Sequence, residues 1–213
     1  MEKENATFQN HLQAAEQGYA DAQNAVGMCY VLGFGVAKDE AIAAEWFHRA
    51  AEQGHVKAQN NLGIFYEEGR GVLEDKSQAA YWFRKSAEQG YAAAQFNLCM
   101  CYQHGVGMPR DTAQALIWCQ KAAEQDHAEA QYVLGSLYWS GIEVVEKPNE
   151  LLGAYWFYKA AEQGIADAQY MLAQCYGSGT GVAQDDEQMM YWYQKAAEQG
   201  HLEAQEELAT FQS

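Results

Sequence analysis

Apolar residues fall along the chain in short blocks, each with the spacing of one helix face. Ala22, Val26, Cys29 and Tyr30 stand at i, i+4, i+7 and i+8, which predicts a helix over 21–32. The same spacing returns at Ala58, Leu62, Phe65 and Tyr66, then at Ala94, Leu98, Cys101 and Tyr102. Gly33 follows the first block and can end the helix in the left-handed conformation. A second apolar block, Ala43, Trp46, Phe47 and Ala50, predicts a second helix that begins after Asp39, a strong N-cap residue. Its caps recur at Asp75, Asp111, Asn149 and Asp185, and its tryptophan at Trp82, Trp118, Trp156 and Trp192. A basic residue closes each of these helices (Arg49, Lys85, Lys121, Lys159, Lys195), which suits the negative end of the helix dipole.

The two blocks alternate with a fixed period. The stretch "AAEQGYADAQ" at 14–23 is rewritten five more times, at steps of 36 residues with one step of 38 caused by "GIEVVEKPNE". It marks the joint where one hairpin's second helix stops and the next hairpin's first helix starts. The full units are 19–54, 55–90, 91–126, 127–164 and 165–200, flanked by half units at 1–18 and 201–213. Each hairpin has apolar faces that only a neighbour can cover, so the units must stack. The half units carry polar substitutions, Asn10 at the tryptophan position and Glu203, Glu206 and Glu207 in the last helix, as expected of caps, with a fragment of a longer array as the alternative. Asp126 stands once where a glycine ends the second helix, tolerable because Asp accepts the left-handed region better than most residues.

The unit A-x-x-x-L-G-x-x-Y-x-x-G-x-G-V-x-x-D-x-x-x-A-x-x-W-Φ-x-K-A-A-x-Q-G, with Φ apolar, resembles the Sel1-like repeat family, relatives of the tetratricopeptide repeats. Residues 58–90, "AQNNLGIFYEEGRGVLEDKSQAAYWFRKSAEQG", are the cleanest copy. Departures are Cys99 for the small glycine, Glu143 for the second loop glycine and the two-residue insertion in 141–149. The resemblance implies an all-α fold, a right-handed α/α superhelical solenoid of stacked hairpins, with first helices lining a concave groove.

Composition narrows the function. A net charge of −16, from 29 acidic and 13 basic residues, opposes nucleic acid and anionic lipid, which require clustered Lys and Arg. No apolar run reaches the length of a membrane span, and the polar start "MEKENATFQNHLQ" has no leader pattern. The expectation is a cytoplasmic protein and, by resemblance, a bacterial one; a secreted or periplasmic chain trimmed of its leader would read the same. A monomer is the expected state.

The residues suggest no catalytic site, metal or cofactor. The "GFGV", "GRGV" and "GVGM" loops lack both the dinucleotide fingerprint and the P-loop lysine. His55, His127 and His201 share one repeat position, about 20 Å apart at usual helix spacings, too far to share an ion. They read as turn-packing residues. Cys29, Cys101 and Cys175 share an apolar position and read as small core residues, while Cys119 takes the place of Phe47, close enough in register to Cys99 to leave one bridge open. Some relatives are associated with β-lactam binding or hydrolysis, but no S-x-x-K stands here to supply that nucleophile.

Function must then lie where the repeats differ. The first-helix face away from the core reads Asn24, Met28, Val31, then Asn60, Ile64, Glu67, then Phe96, Met100, Gln103, then Tyr132, Ser136, Trp139, then Tyr170, Gln174, Gly177. It holds no Lys or Arg, which disfavours the basic clamp by which tetratricopeptide domains grip acidic tails. The candidate binding residues are Met28, Asn60, Ile64, Glu67, Phe96, Met100, Tyr132, Trp139 and Tyr170, with Trp139 singled out because the repeat does not require it. The expected function is a non-enzymatic adaptor holding a peptide or helix of another protein, apolar and aromatic or basic in character. A hydrolase or ligand-binding enzyme and a purely structural spacer are the alternatives, the latter if these side chains pack on one another.

Overall fold

The computed structural model describes residues 2–141 and 148–211. Among the described residues the chain forms twelve helices: α1 (Glu2–Glu16), α2 (Ala20–Leu32), α3 (Glu40–Glu52), α4 (Val56–Glu68), α5 (Lys76–Glu88), α6 (Ala92–His104), α7 (Thr112–Ala123), α8 (Ala128–Ser140), α9 (Glu150–Glu162), α10 (Ala166–Ser178), α11 (Asp186–Glu198) and α12 (Leu202–Phe211). They group into two compact units, Met1–Asp111 and Thr112–Ser213. In the first unit α2–α3 and α4–α5 are hairpins stacked between α1 and α6; in the second, α8–α9 and α10–α11 are stacked between α7 and α12. This is the all-α repeat solenoid that the 36-residue period predicts. Residues 142–147 of the insertion, including Glu143, lie outside the described residues.

Each helix starts and stops where its sequence dictates. Asp39 accepts a hydrogen bond from the Ile42 amide at 3.0 Å, Asp75 from Ser77 and Gln78, Asn149 from Leu152, and Asp185 from Glu187 and Gln188. Asp126 does adopt a positive φ, 59°, and its carboxylate takes a hydrogen bond from Lys159 that holds it below the usual carboxylate range. The histidines do more than pack. His55, His127 and His201 are N-caps of α4, α8 and α12, their Nδ1 atoms accepting from the amides of Ala58, Ala130 and Ala204 at 3.0, 3.4 and 3.3 Å. In His55 this places the proton on Nε2, which faces Asp21 of the preceding repeat at 3.1 Å, and His201 Nε2 likewise faces Asp167 at 3.4 Å.

Within a hairpin, a phenylalanine of the second helix fills the space left by a missing side chain on the first. A Cβ added at Gly63 would stand 2.6 Å from the Phe83 ring, and Gly27 with Phe47 and Gly135 with Phe157 repeat this fit. Between repeats, the second glycine of each G-x-G loop rests on the backbone of the preceding second helix. A Cβ at Gly71 would collide with the Glu40 carbonyl, and Gly107 lies in the same way on Lys76 and Gly181 on Glu150. These glycines are therefore contact points between repeats as well as turns.

The joint itself is held by glutamines. Gln23, Gln59, Gln95, Gln131 and Gln169 are buried, and each donates its amide to the last-turn carbonyl of the preceding second helix: Ala15, Ala51, Ala87, Ala123 and Ala161, at 3.1–3.3 Å. Their Oε1 atoms accept in turn from the glutamine of the next "AEQ": Gln53 to Gln23, Gln89 to Gln59, Gln163 to Gln131 and Gln199 to Gln169, at 2.7–2.8 Å. Each step thus ties three consecutive helices.

Replacing Gln59 with Ala removes two hydrogen bonds, leaving the Ala51 carbonyl to the Gly54 amide and the Gln89 amide to the Lys85 carbonyl. The expected loss is about 1–3 kcal/mol in urea denaturation; a change within about 0.5 kcal/mol would assign the ladder no energetic weight. The His127 cap sets an acid limit. Burial lowers the His127 pKa below its usual 6.5, with Glu129 acting in the opposite direction. The unfolded chain therefore takes up the proton first, so this contribution is complete above about 6.5 and is lost as pH falls through the folded value. Between pH 7.5 and pH 5 the melting temperature of the wild type should drop more than that of His127→Asn, which caps without titrating; parallel curves would refute the assignment.

Candidate functional site

In the first unit the variable first-helix positions of α2, α4 and α6 are all buried or half-buried, where the sequence alone reads them as an outward face. Met28 and Val31 lie half-buried against the core of the α3–α4 region. Asn60 is buried, with 5% of its surface exposed, and accepts a hydrogen bond from Asn97 at 3.0 Å; Asn61 makes the equivalent bond to Asn24 at 3.2 Å. Asn60 therefore helps to join α4 to α6. Ile64, Glu67, Phe96 and Met100 are half-buried. Burial pushes the Glu67 carboxyl up, opposed by Lys76, whose ammonium bonds the Glu67 backbone carbonyl and the Glu74 carboxylate. Gln103, one repeat beyond Glu67 in register, carries a buried Oε1 that accepts no hydrogen bond.

In the second unit the corresponding aromatic residues sit over the core. The Tyr132 and Trp139 rings lie 6.1 and 5.9 Å from Phe157, and Trp139 also covers Gly153, where a Cβ would stand 3.3 Å from its ring. Tyr170 lies 5.7 Å from the Tyr193 ring and stacks on the imidazole of His201 at 4.6 Å, while its hydroxyl accepts from Gln174. Burial is the first cause raising the Tyr132, Tyr170 and Tyr193 phenols, Tyr193 to about 12, so all three are neutral near pH 7. The sequence-predicted residues thus divide by unit: Met28, Asn60, Ile64, Glu67, Phe96 and Met100 in the first, Tyr132, Trp139 and Tyr170 in the second.

Sequence reasoning passed over a second aromatic row. Tyr81, Tyr155 and Tyr191, each the residue before the repeat tryptophan, are about half exposed on α5, α9 and α11 (49, 51 and 50%). Their rings meet the adjacent tryptophans edge-on at 4.9–5.0 Å. The recurring "YW" was the signal that marked them. A cavity of about 400 Å³ also opens between α3 and the following G-x-G loop, lined by Glu45, His48, Arg49, Tyr66 and Val72 among others.

The chemistry available on these faces is that of contact. All five cysteines are buried thiols outside any disulfide, and burial is the chief cause raising Cys101 and Cys175 to about 12. Among the described residues no group of three or more His, Cys, Asp or Glu side chains is placed to hold a metal ion, and no helix is long and apolar enough to cross a membrane.

With this geometry in hand, known proteins can be compared. A family model described as "Sel1 repeat" matches residues 20–55, 56–91, 92–127, 128–165 and 166–201. Those limits fall one residue after the units read from the sequence. A protective antigen of uropathogenic Escherichia coli strains that displays an SLR fold is 38% identical, covering 98% of this chain and 44% of its own, with a TM-score of 0.88. A Sel1 repeat protein from Oxalobacter formigenes is 34% identical over 94% of this chain and 57% of its own, TM-score 0.86. The chain thus spans about half the length of these two solved structures. An immunity protein from Pseudomonas aeruginosa is 25% identical over 87% of this chain and 66% of its own, with a TM-score of 0.53. No curated protein matched the chain significantly.

Trp139 separates cover from contact most sharply. Trp139→Ala should cost roughly 2–3 kcal/mol in thermal or urea unfolding, below the 3–5 of a fully buried aromatic. An unchanged unfolding curve would mean that its ring contributes nothing to the Phe157 core.

Proposed function

Because this chain belongs to the Sel1 repeat family, whose members are generally protein-interaction scaffolds, we propose that it is a non-enzymatic adaptor that holds a segment of a partner protein on its first-helix faces. One observation carries this reading. The packing within and between hairpins is made by residues that recur from unit to unit, the glutamine ladder and, in three of the five units, the glycine–phenylalanine pairs. The half-exposed first-helix positions meanwhile change from Met28 to Ile64 to Met100 in the first unit, and from Tyr132 to Tyr170 in the second. Side chains that vary from unit to unit, apolar and free of Lys or Arg, suit a peptide or helix with apolar or basic residues. The charge of −16 points the same way. Five buried thiols outside disulfides fit a reducing compartment such as a bacterial cytoplasm.

A second reading, favoured by the half-exposed Tyr81, Tyr155 and Tyr191, places the contact on the second helices. Affinity capture with three proteins distinguishes them: wild type, Ile64→Lys with Met100→Lys, and Tyr81→Ser with Tyr155→Ser and Tyr191→Ser. Circular dichroism must first show each variant folded. Loss of the wild-type partner from the Lys variant alone supports the first-helix face. Loss from the Ser variant alone transfers the function to the second helices, and an unchanged partner in both excludes both faces.

A further inference from the structure

Glu67 and Gln103 occupy equivalent positions on α4 and α6, neighbours joined by the Asn97–Asn60 hydrogen bond. Each presents an acceptor that the fold leaves without a matching donor. The Glu67 carboxylate is half-buried and makes no ion pair among the described residues, because the nearby Lys76 is held by the Glu67 backbone carbonyl and by Glu74. Gln103 Oε1 is buried and unpaired, a costly state that natural structures seldom keep without a use. Both lie beside the half-buried apolar Ile64 and Met100.

We propose that Glu67 and Gln103 together seat an arginine side chain of the partner protein, flanked in the partner's sequence by apolar residues. This rests on the reading that the first-helix face binds protein. A guanidinium suits the pair better than an ammonium: its rigid fork offers donors in two directions, and it is more weakly hydrated when drawn against apolar surface. The terminal amide torsion of Gln103 is soft, so a small turn presents its oxygen to the ligand. Ile64 and Met100 then receive the flanking apolar residues. Charge complementarity identifies the occupant: Glu67 makes no ion pair among the described residues, Lys76 acts on it only through space while bonded elsewhere, and the chain carries a net charge of −16.

The test titrates the ¹⁵N-labelled full chain with two capped pentapeptides, Ala-Leu-Arg-Leu-Ala and the same peptide with Gln for Arg. The arginine peptide should shift the Gln103 side-chain amide and the α4 and α6 signals, with an affinity at least about tenfold above that of the glutamine peptide. Glu67→Gln should remove that preference while leaving the melting temperature unchanged or raised. Equal affinities on this face overturn the arginine seat and leave the binding face standing. Arginine preference that survives in Glu67→Gln traces to the overall negative charge and also overturns it. Shifts confined to the second helices remove both the seat and the face, and no shift with either peptide at millimolar concentration overturns the seat alone.

Discussion

Every stacking step within the two units passes through a glutamine, buried in all but the last, where the exposed Gln205 bonds the Ala197 carbonyl. A buried primary amide is expensive unless its donors and acceptor are satisfied. Here the cost becomes a constraint on geometry. Gln59 reaches back to the Ala51 carbonyl and accepts from Gln89, so α3, α4 and α5 must stand at one mutual spacing for the bonds to close. Apolar contact alone tolerates sliding, whereas a hydrogen bond fails when its partners move by an ångström or when its angle bends far. The flanking alanines permit the close approach, and the glutamines fix its register. The period of 36 residues is thus the spacing at which a fixed set of polar bonds repeats.

The same economy governs the side chains around the ladder. Gly63 gives its volume to Phe83, and Gly71 gives its volume to the Glu40 carbonyl. A departure at such a site must be matched elsewhere. In the third repeat Cys99 stands at the glycine position and Cys119 at the phenylalanine position, both fully buried. A larger residue and a smaller one thus replace the usual pair in step. In the fifth repeat Ala173 takes the glycine position and Tyr193 the aromatic one, again both buried. The third repeat thus conserves volume, whereas in the fifth both residues are larger than the Gly–Phe pair they replace.

Periodicity and capping chemistry are local properties, and they were legible. Helix limits, Asp and Asn caps, the left-handed Asp126 and the pairing of helices all follow from them. Properties that depend on what a residue meets across the stack were not. His55 reads as a turn residue because a histidine rarely caps a helix; only the position of the Ala58 amide reveals that its Nδ1 is an acceptor. Trp139 is prominent by sequence because its counterparts are Val31, Glu67, Gln103 and Gly177, yet the reason for its size lies fourteen residues away, in Gly153. Gln103 is the converse case. Nothing in its letters distinguishes it from the many surface glutamines, and its unsatisfied oxygen exists only in three dimensions.

The two units therefore divide the demands of folding and recognition differently. In the second, Tyr132, Trp139 and Tyr170 lie over Phe157 and Tyr193, so any partner that meets their rings meets the core's own cover. Truncating them changes stability and surface together, and the two effects cannot vary independently. In the first, the Gln103 oxygen is buried without a partner and burial raises the Glu67 carboxyl, a cost that folding alone gives no reason to keep. Groups that weaken the fold without serving it are the natural place to look for recognition. By that physical argument the proposed arginine seat belongs in the first unit, where surface chemistry can change without the cover of the core changing with it.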